Sequence, residues 1–286
     1  MPLARTGDIV APAAHAGHGV GAFNVIQLEH AQAIVAGAEA ADAPVILQIS
    51  ENAARYHGGL HAVGPATLAV ARAARVPVAV HLDHATSDAL VHEAVELGFT
   101  SVMYDASVLP YGENLRATGA ITAHCHAAGV WVEAELGEVG GKDGVHAPGA
   151  RTDPGEAAAF VAATGVDALA VAVGTSHAML TRDAALDFAL IRALRAAVPV
   201  PLVLHGSSGV ADDELTAAVE HGMTKVNLAT HLNRVFTTAA REVLDGDPAL
   251  VDTRRYLGAG RTAMAAEVTR LLGVLKAPAA SMVPTH

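Results

Sequence analysis

Residues 76–84 read VPVAVHLDH. The stretch is apolar through Val80 and then ends in two imidazoles and a carboxylate. A short Val-rich run bounded by polar residues reads as a buried strand. Burying ionisable groups is costly unless they are paired, so the end of this strand is a natural place for chemistry. The same layout recurs as VGAFNV (20–25), PVILQIS (44–50), TSVMYDAS (100–107), VWVEAELG (130–137), DALAVAVG (167–174), PLVLHGSSG (201–209) and KVNLAT (225–230). The spacing is roughly thirty residues, the length of one βαβ unit. Between the runs lie segments of helical period, such as DALVHEAVELG and DDELTAAVEHG, many opening on Asp and closing on Gly as helix caps do. Two further helices are expected at 231–245 and about 256–275.

Eight strand–helix units predict an α/β protein, a (β/α)8 TIM barrel in a single domain with an extra C-terminal helix. A doubly wound open sheet is the competitor. It would carry a Gly-rich phosphate turn after its first strand, and AFNVIQLEH has none. Residues 1–275 are expected to form the barrel and 276–286 a flexible tail. The Gly- and Pro-rich stretch 140–156 is expected to be a binding loop or lid.

The chain of 286 residues is 52% hydrophobic and carries a formal net charge of −11. That balance argues against nucleic acid or an anionic membrane as the main partner. Cys125 is the single cysteine, so no disulfide can form within the chain. No apolar run reaches membrane-spanning length, and the N-terminal stretch lacks a signal-peptide pattern. A cytoplasmic location is expected.

The C-terminal ends of barrel strands carry the active site in this fold. Here those ends offer Asn24; Ser50, Glu51 and Asn52; Asp83 and His84; Asp105; Glu133 and Glu135; Ser176 and His177; His205 to Ser207; and Asn227 to Thr230. A lone histidine at a strand end is ordinarily structural. His84, His177 and His205 at one face, with Asp83 beside the first, read instead as a metal-ligand set. His81 reads as a supporting residue, and His15, His18, His92, His124, His126 and His221 as surface groups. The small-residue turns HGSSGV and VNLATH after strands seven and eight suit a phosphate.

The stretches AFNV, HLDH, VEAELGEVGG, DALAVAVGTSH, PLVLHGSSG and TKVNLAT together resemble the metal-dependent (class II) fructose-bisphosphate and tagatose-bisphosphate aldolases, in the family's order and register. The resemblance runs from about residue 3 to 275. It implies reversible cleavage of fructose 1,6-bisphosphate or tagatose 1,6-bisphosphate to dihydroxyacetone phosphate and glyceraldehyde 3-phosphate. It implies one catalytic Zn²⁺ per subunit on His84, His177 and His205, with Asp105 and Glu135 able to hold a second or displaced metal, and leaves room for a monovalent cation at the phosphate site. Asp83 falls on the catalytic aspartate. The dihydroxyacetone phosphate contacts fall on Ala178, on Gly206, Ser207 and Ser208, and on Asn227, Leu228, Ala229 and Thr230. Asn24 falls near the reacting carbons, Ser50 near the far end of the substrate, and Arg254 on an arginine reaching the distal phosphate from a neighbouring subunit. A homodimer or homotetramer is implied.

Cleaving a ketose phosphate leaves negative charge on the three-carbon donor. Either a Schiff base on lysine or a Lewis-acid metal must delocalise it. The chain has three lysines, Lys142, Lys225 and Lys276. None is expected at a strand's C-terminal end, and Lys225 is expected to precede strand eight, so the metal route is preferred. The family's loop glutamate is matched by Asp143, one methylene shorter, with Glu138 as the alternative, and Ala178 stands where the family often has Gly. A class II aldolase for another phosphorylated ketose or keto acid, and a non-catalytic barrel subunit, remain as alternatives.

Overall fold

In the computed structural model, described for residues 3–136, 151–175, 182 and 184–284, the apolar runs pair side by side and in parallel. The strands are β1 (Val20–Asn24), β2 (Val45–Ser50), β3 (Val78–Ala85), β4 (Ser101–Tyr104), β5 (Trp131–Glu135), β6 (Ala168–Ala170), β7 (Leu202–Leu204) and β8 (Met223–Leu228). Each pairs with the next, and β8 closes on β1, giving an eight-stranded barrel. Helices α1 (Thr6–Ala16), α2 (Leu28–Ala40), α3 (Glu51–Tyr56), α4 (Val63–Ala73), α5 (Asp88–Leu97), α6 (Tyr111–Ala127), α7 (Pro154–Thr164), α8 (Phe188–Ala197), α9 (Asp212–His221), α10 (Thr230–Gly246) and α11 (Thr253–Val274) complete it. Among the described residues, no helix is long and apolar enough to cross a membrane.

Strand alternation sorts the side chains into two layers. Leu47, Ile49, Val80, Leu82, Val132, Leu202, Leu204 and Val226 face outward and pack under the helices in the main core. Each such fully buried side chain contributes roughly 1.5–3 kcal/mol. Inward-facing residues are apolar toward the strand starts, where Val20, Ala22, Ile46 and Ala79 meet Ile9, Val10 and Ala13 of α1, and again on one side of the barrel, where Met103, Ala168, Ala170 and Val203 cluster. Helix α1 thus plugs the N-terminal mouth. On β2, β3, β5 and β8 the interior turns polar further along the strand and stays buried, with Gln48, His81, Glu133 and Lys225 all at 0% exposure. The bottom is apolar, and the middle sets buried charged and polar groups against an apolar side.

Two expectations need correction. Lys225 does not precede strand eight. It is the third residue of β8, because the strand starts two residues earlier than the apolar run suggests, and it points into the barrel with its Nζ 2.8 Å from Oε2 of Glu133. Residues 277–284 are not a free tail. Val283 is buried in the plug with Ile9 and Val10, Ala280 N–H donates to the Asp42 carbonyl at 2.7 Å, and a short 3-10 turn spans Ala280–Met282. The apolar floor of the barrel needs a cover, and this segment supplies part of it.

Candidate active site

Asp83 and His84 are neighbours on β3, and regular alternation would send their side chains to opposite faces. The backbone resolves this with an irregularity. The β3–β4 register shifts between Leu82 and Ala85, and His84 takes φ +50°, a conformation non-glycine residues rarely adopt. Such strain persists where surrounding contacts hold it, often at functional sites. Here it brings the His84 ring back over the barrel, where Nδ1 meets Oδ2 of Asp105 at 2.8 Å and the ring packs edge-on to His205 with centroids 4.7 Å apart.

Asp83 is 3% exposed. Its Oδ1 accepts from Asn227 Nδ2 at 3.3 Å and its Oδ2 from Gln48 Nε2 at 3.4 Å. Gln48 also donates to Oδ1 of Asn24 at 2.6 Å, linking three strand ends. Burial opposes the Asp83 charge, but His84 and Lys225 outweigh that cost and hold its carboxyl below the usual carboxylate range.

His205 follows β7 and is 6% exposed. Its Nε2 bonds Oε1 of Glu133 at 3.0 Å, and its Nδ1 lies 3.4 Å from Oε2 of Glu135. Burial alone would lower this ring's pKa, yet the two glutamates push it up to about 10. For Asp105 burial is likewise outweighed, by His84 and Ser107, and its carboxyl lies well below the ordinary range.

Donor atoms of Asp83, His84 and His205 lie within 4.8 Å of one another, as do those of His84, Asp105 and Glu135. Two imidazoles among carboxylates match the nitrogen and oxygen donors that hold zinc and related divalent ions. These residues fit a metal.

The open end of the barrel holds a cavity of about 190 Å³. Asn24, Gln48, Ser50, Asn52, Asp83 and His84 form one wall, and Gly206, Ser207, Ser208, Asn227, Ala229 and Thr230 the other. Gly206 sits at φ +67° before a 3-10 turn, Ser207–Gly209, a conformation that glycine adopts without steric cost. Ser208 Oγ accepts the N–H of His231 at 3.2 Å, so the turn after β7 abuts the first turn of α10. Unsatisfied backbone N–H groups at such a helix start favour an anion. Leu228 is buried at 1% and faces outward, so it contributes backbone only.

The model of the family described as fructose-bisphosphate aldolase class-II matches residues 4–278. The chain belongs to the class II fructose-bisphosphate aldolase family. This aldolase is 41% identical over 272 residues to the fructose-bisphosphate aldolase of Geobacillus stearothermophilus, covering 94% of this chain and 95% of the relative. It is 38% identical over 268 residues to that of Staphylococcus aureus, with 92% and 94% covered. The solved structure of the YdjI aldolase from Escherichia coli K12 superposes with a TM-score of 0.86 at 31% identity, over 96% of this chain and 98% of that one. As a member of this family the aldolase is a lyase.

The fold of the aldolase thus gathers Asn24, Ser50, Asp83, His84, Asp105, Glu135, His205, Gly206 to Ser208 and Asn227 to Thr230 at one end. His177, Ala178, Asp143 and Glu138 lie outside the described residues. Arg254 does not reach its own cavity. It begins α11, where its guanidinium pairs with Asp252 at 2.9 Å and its side chain is 89% exposed. Glu267 of the same helix bonds His231 beside the site, which leaves Arg254 roughly 20 Å away along the helix at 1.5 Å per residue.

Gln48 is a site residue that the strand-end pattern does not mark, and it and Glu51 both shape the site. Gln48 is one of two polar residues within PVILQIS, inward by alternation with Ser50, and that position was the available signal. Glu51, 8% exposed, accepts the N–H of Thr86 at 2.6 Å. It thereby clamps the start of α3 to the segment just beyond His84.

Proposed function

We propose that this enzyme cleaves fructose 1,6-bisphosphate reversibly to dihydroxyacetone phosphate and glyceraldehyde 3-phosphate, with tagatose 1,6-bisphosphate as the close alternative. The observation that carries the reading is the convergence of Asp83, His84 and His205 within 4.8 Å at the mouth of the barrel. The names of the relatives at about 40% identity support the choice of sugar.

In this reading His84, His177 and His205 hold one catalytic Zn²⁺, and Asp105 and Glu135 can take a displaced or second ion. The bound metal supplies a Lewis acid for the charge that develops on the three-carbon donor. Asp83 accepts the hydroxyl proton at C4 during cleavage and returns it during condensation. Its ionised state, kept by His84 and Lys225, suits a base. Asn24 and Gln48 hold the approach to Asp83. Gly206 to Ser208, Ala178, and Asn227 to Thr230 bind the donor's phosphate through backbone N–H groups and hydroxyls, with a monovalent cation as a further neutralising group. Ser50 contacts the far end of the substrate, and Asp143, or Glu138, moves the C3 proton from the loop. A homodimer or homotetramer brings Arg254 of a second subunit to the distal phosphate. The enzyme works in the cytoplasm.

One observation favours a second reading. No lysine or arginine is among the described residues lining the cavity, so a phosphorylated ketose with an uncharged far end also fits. The deciding experiment is a panel of ketose mono- and bisphosphates assayed for triose phosphate release. Turnover of fructose 1,6-bisphosphate above all others supports the first reading, and preference for a monophosphate overturns it.

A further inference from the structure

Lys225 is 0% exposed and does not line the cavity. Its ammonium group is nonetheless placed between the two halves of the site. Nζ pairs with Oε2 of Glu133 at 2.8 Å and donates to Oδ1 of Asn227 at 2.8 Å. From Glu133 the chain of contacts continues through Oε1 to Nε2 of His205. From Asn227 it continues through Nδ2 to Oδ1 of Asp83. A buried ion pair is ordinarily no more stabilising than apolar residues of the same volume, so packing alone does not account for a lysine here.

The chemistry of the donors makes the chain directional. An ammonium group can only donate. Asn227 must therefore turn its oxygen toward Lys225, which leaves its NH₂ to face Asp83. Glu133, held charged by the same ammonium, can only accept. His205 must then carry a proton on Nε2, and Nδ1 is the nitrogen that faces Glu135. We propose that Lys225 is a positioning residue that sets both the ring nitrogen His205 presents to a metal and the amide orientation that holds Asp83. It touches neither substrate nor metal. The proposal rests on the metal-dependent reading of the site given above.

The test compares wild type, Lys225→Met and the double variant Glu133→Gln/Lys225→Met, which removes the charge that the single change would strand. Cobalt(II) serves as the probe, because its visible spectrum reports ligand identity and geometry. Cobalt affinity of the double variant is expected to fall about ten- to hundred-fold, the usual cost of losing a partner behind a ligating histidine, with an altered spectrum. At saturating metal its kcat is expected to fall by at least about ten-fold with KM within about two-fold, since only the groups behind Asp83 and His205 have changed. A double variant that keeps the wild-type cobalt spectrum and affinity, or the wild-type kcat, overturns the proposal. Wild-type protein that binds no cobalt and cleaves no ketose phosphate overturns the metal reading and the proposal with it.

Discussion

Nδ1 of His84 lies 2.8 Å from Oδ2 of Asp105, so Nε2 is the ring nitrogen that Asp105 does not engage. A carboxylate behind an imidazole fixes both its orientation and its basicity. Replacing Asp105 by Asn should keep the fold while weakening metal binding about ten- to hundred-fold. Competition with a chromophoric chelator measures this. Undiminished affinity would show that the contact does not orient the ring.

Asp83 is held by two amides on strands β2 and β8, and its carboxylate lies within 4.8 Å of His84 and His205. Asp83→Ala should leave the metal bound and lower kcat by about 10²- to 10⁴-fold, the range of a lost acid–base group. Metal analysis of the same preparation separates the two effects. Loss of the metal together with turnover would make Asp83 a ligand.

His30 gives a pH prediction away from the metal. It is 5% exposed, and its Nδ1 accepts the N–H of Ile26 at 3.1 Å, which requires a neutral ring. Burial lowers its pKa to about 4. Between about pH 4 and the unfolded value of 6.5, the unfolded chain binds the extra proton, so stability rises with pH across this window. The contribution is complete above pH 6.5 and is lost as the pH falls toward 4, by up to about 3 kcal/mol. Urea titrations at several pH values should show a shallower slope for His30→Gln. Identical slopes would exclude His30 as the source.

Cys125 is fully buried, and burial pushes its thiol up to about 11. The thiolate is the reactive form, so the native enzyme should react with disulfide reagents only at the rate of opening. Rapid modification in buffer, unchanged by denaturant, would contradict the packing of α6 against the barrel.

Much of this was legible in the chain. The eight apolar runs found all eight strands, because buried parallel strands are continuous in their hydrophobicity. The residues beyond each run mark the open end for the same reason. The positive φ of His84 was not legible, since strand alternation alone would turn its ring away from Asp83. The inward place of Lys225 was hidden by a strand that begins with the unremarkable Met223 and Thr224. Gln48 was readable by parity with Ser50. The plug formed by α1 and Val283 depends on contacts between the two ends of the chain, which no local pattern encodes.

The central claim is that catalysis needs a metal held at His84 and His205. The most direct test strips the enzyme with a chelator, then titrates zinc while following triose phosphate release from fructose 1,6-bisphosphate. Activity should vanish on stripping and return in proportion to added zinc, saturating at one ion per subunit. Full activity in the stripped enzyme, or a borohydride-trapped adduct on a lysine, would contradict the account.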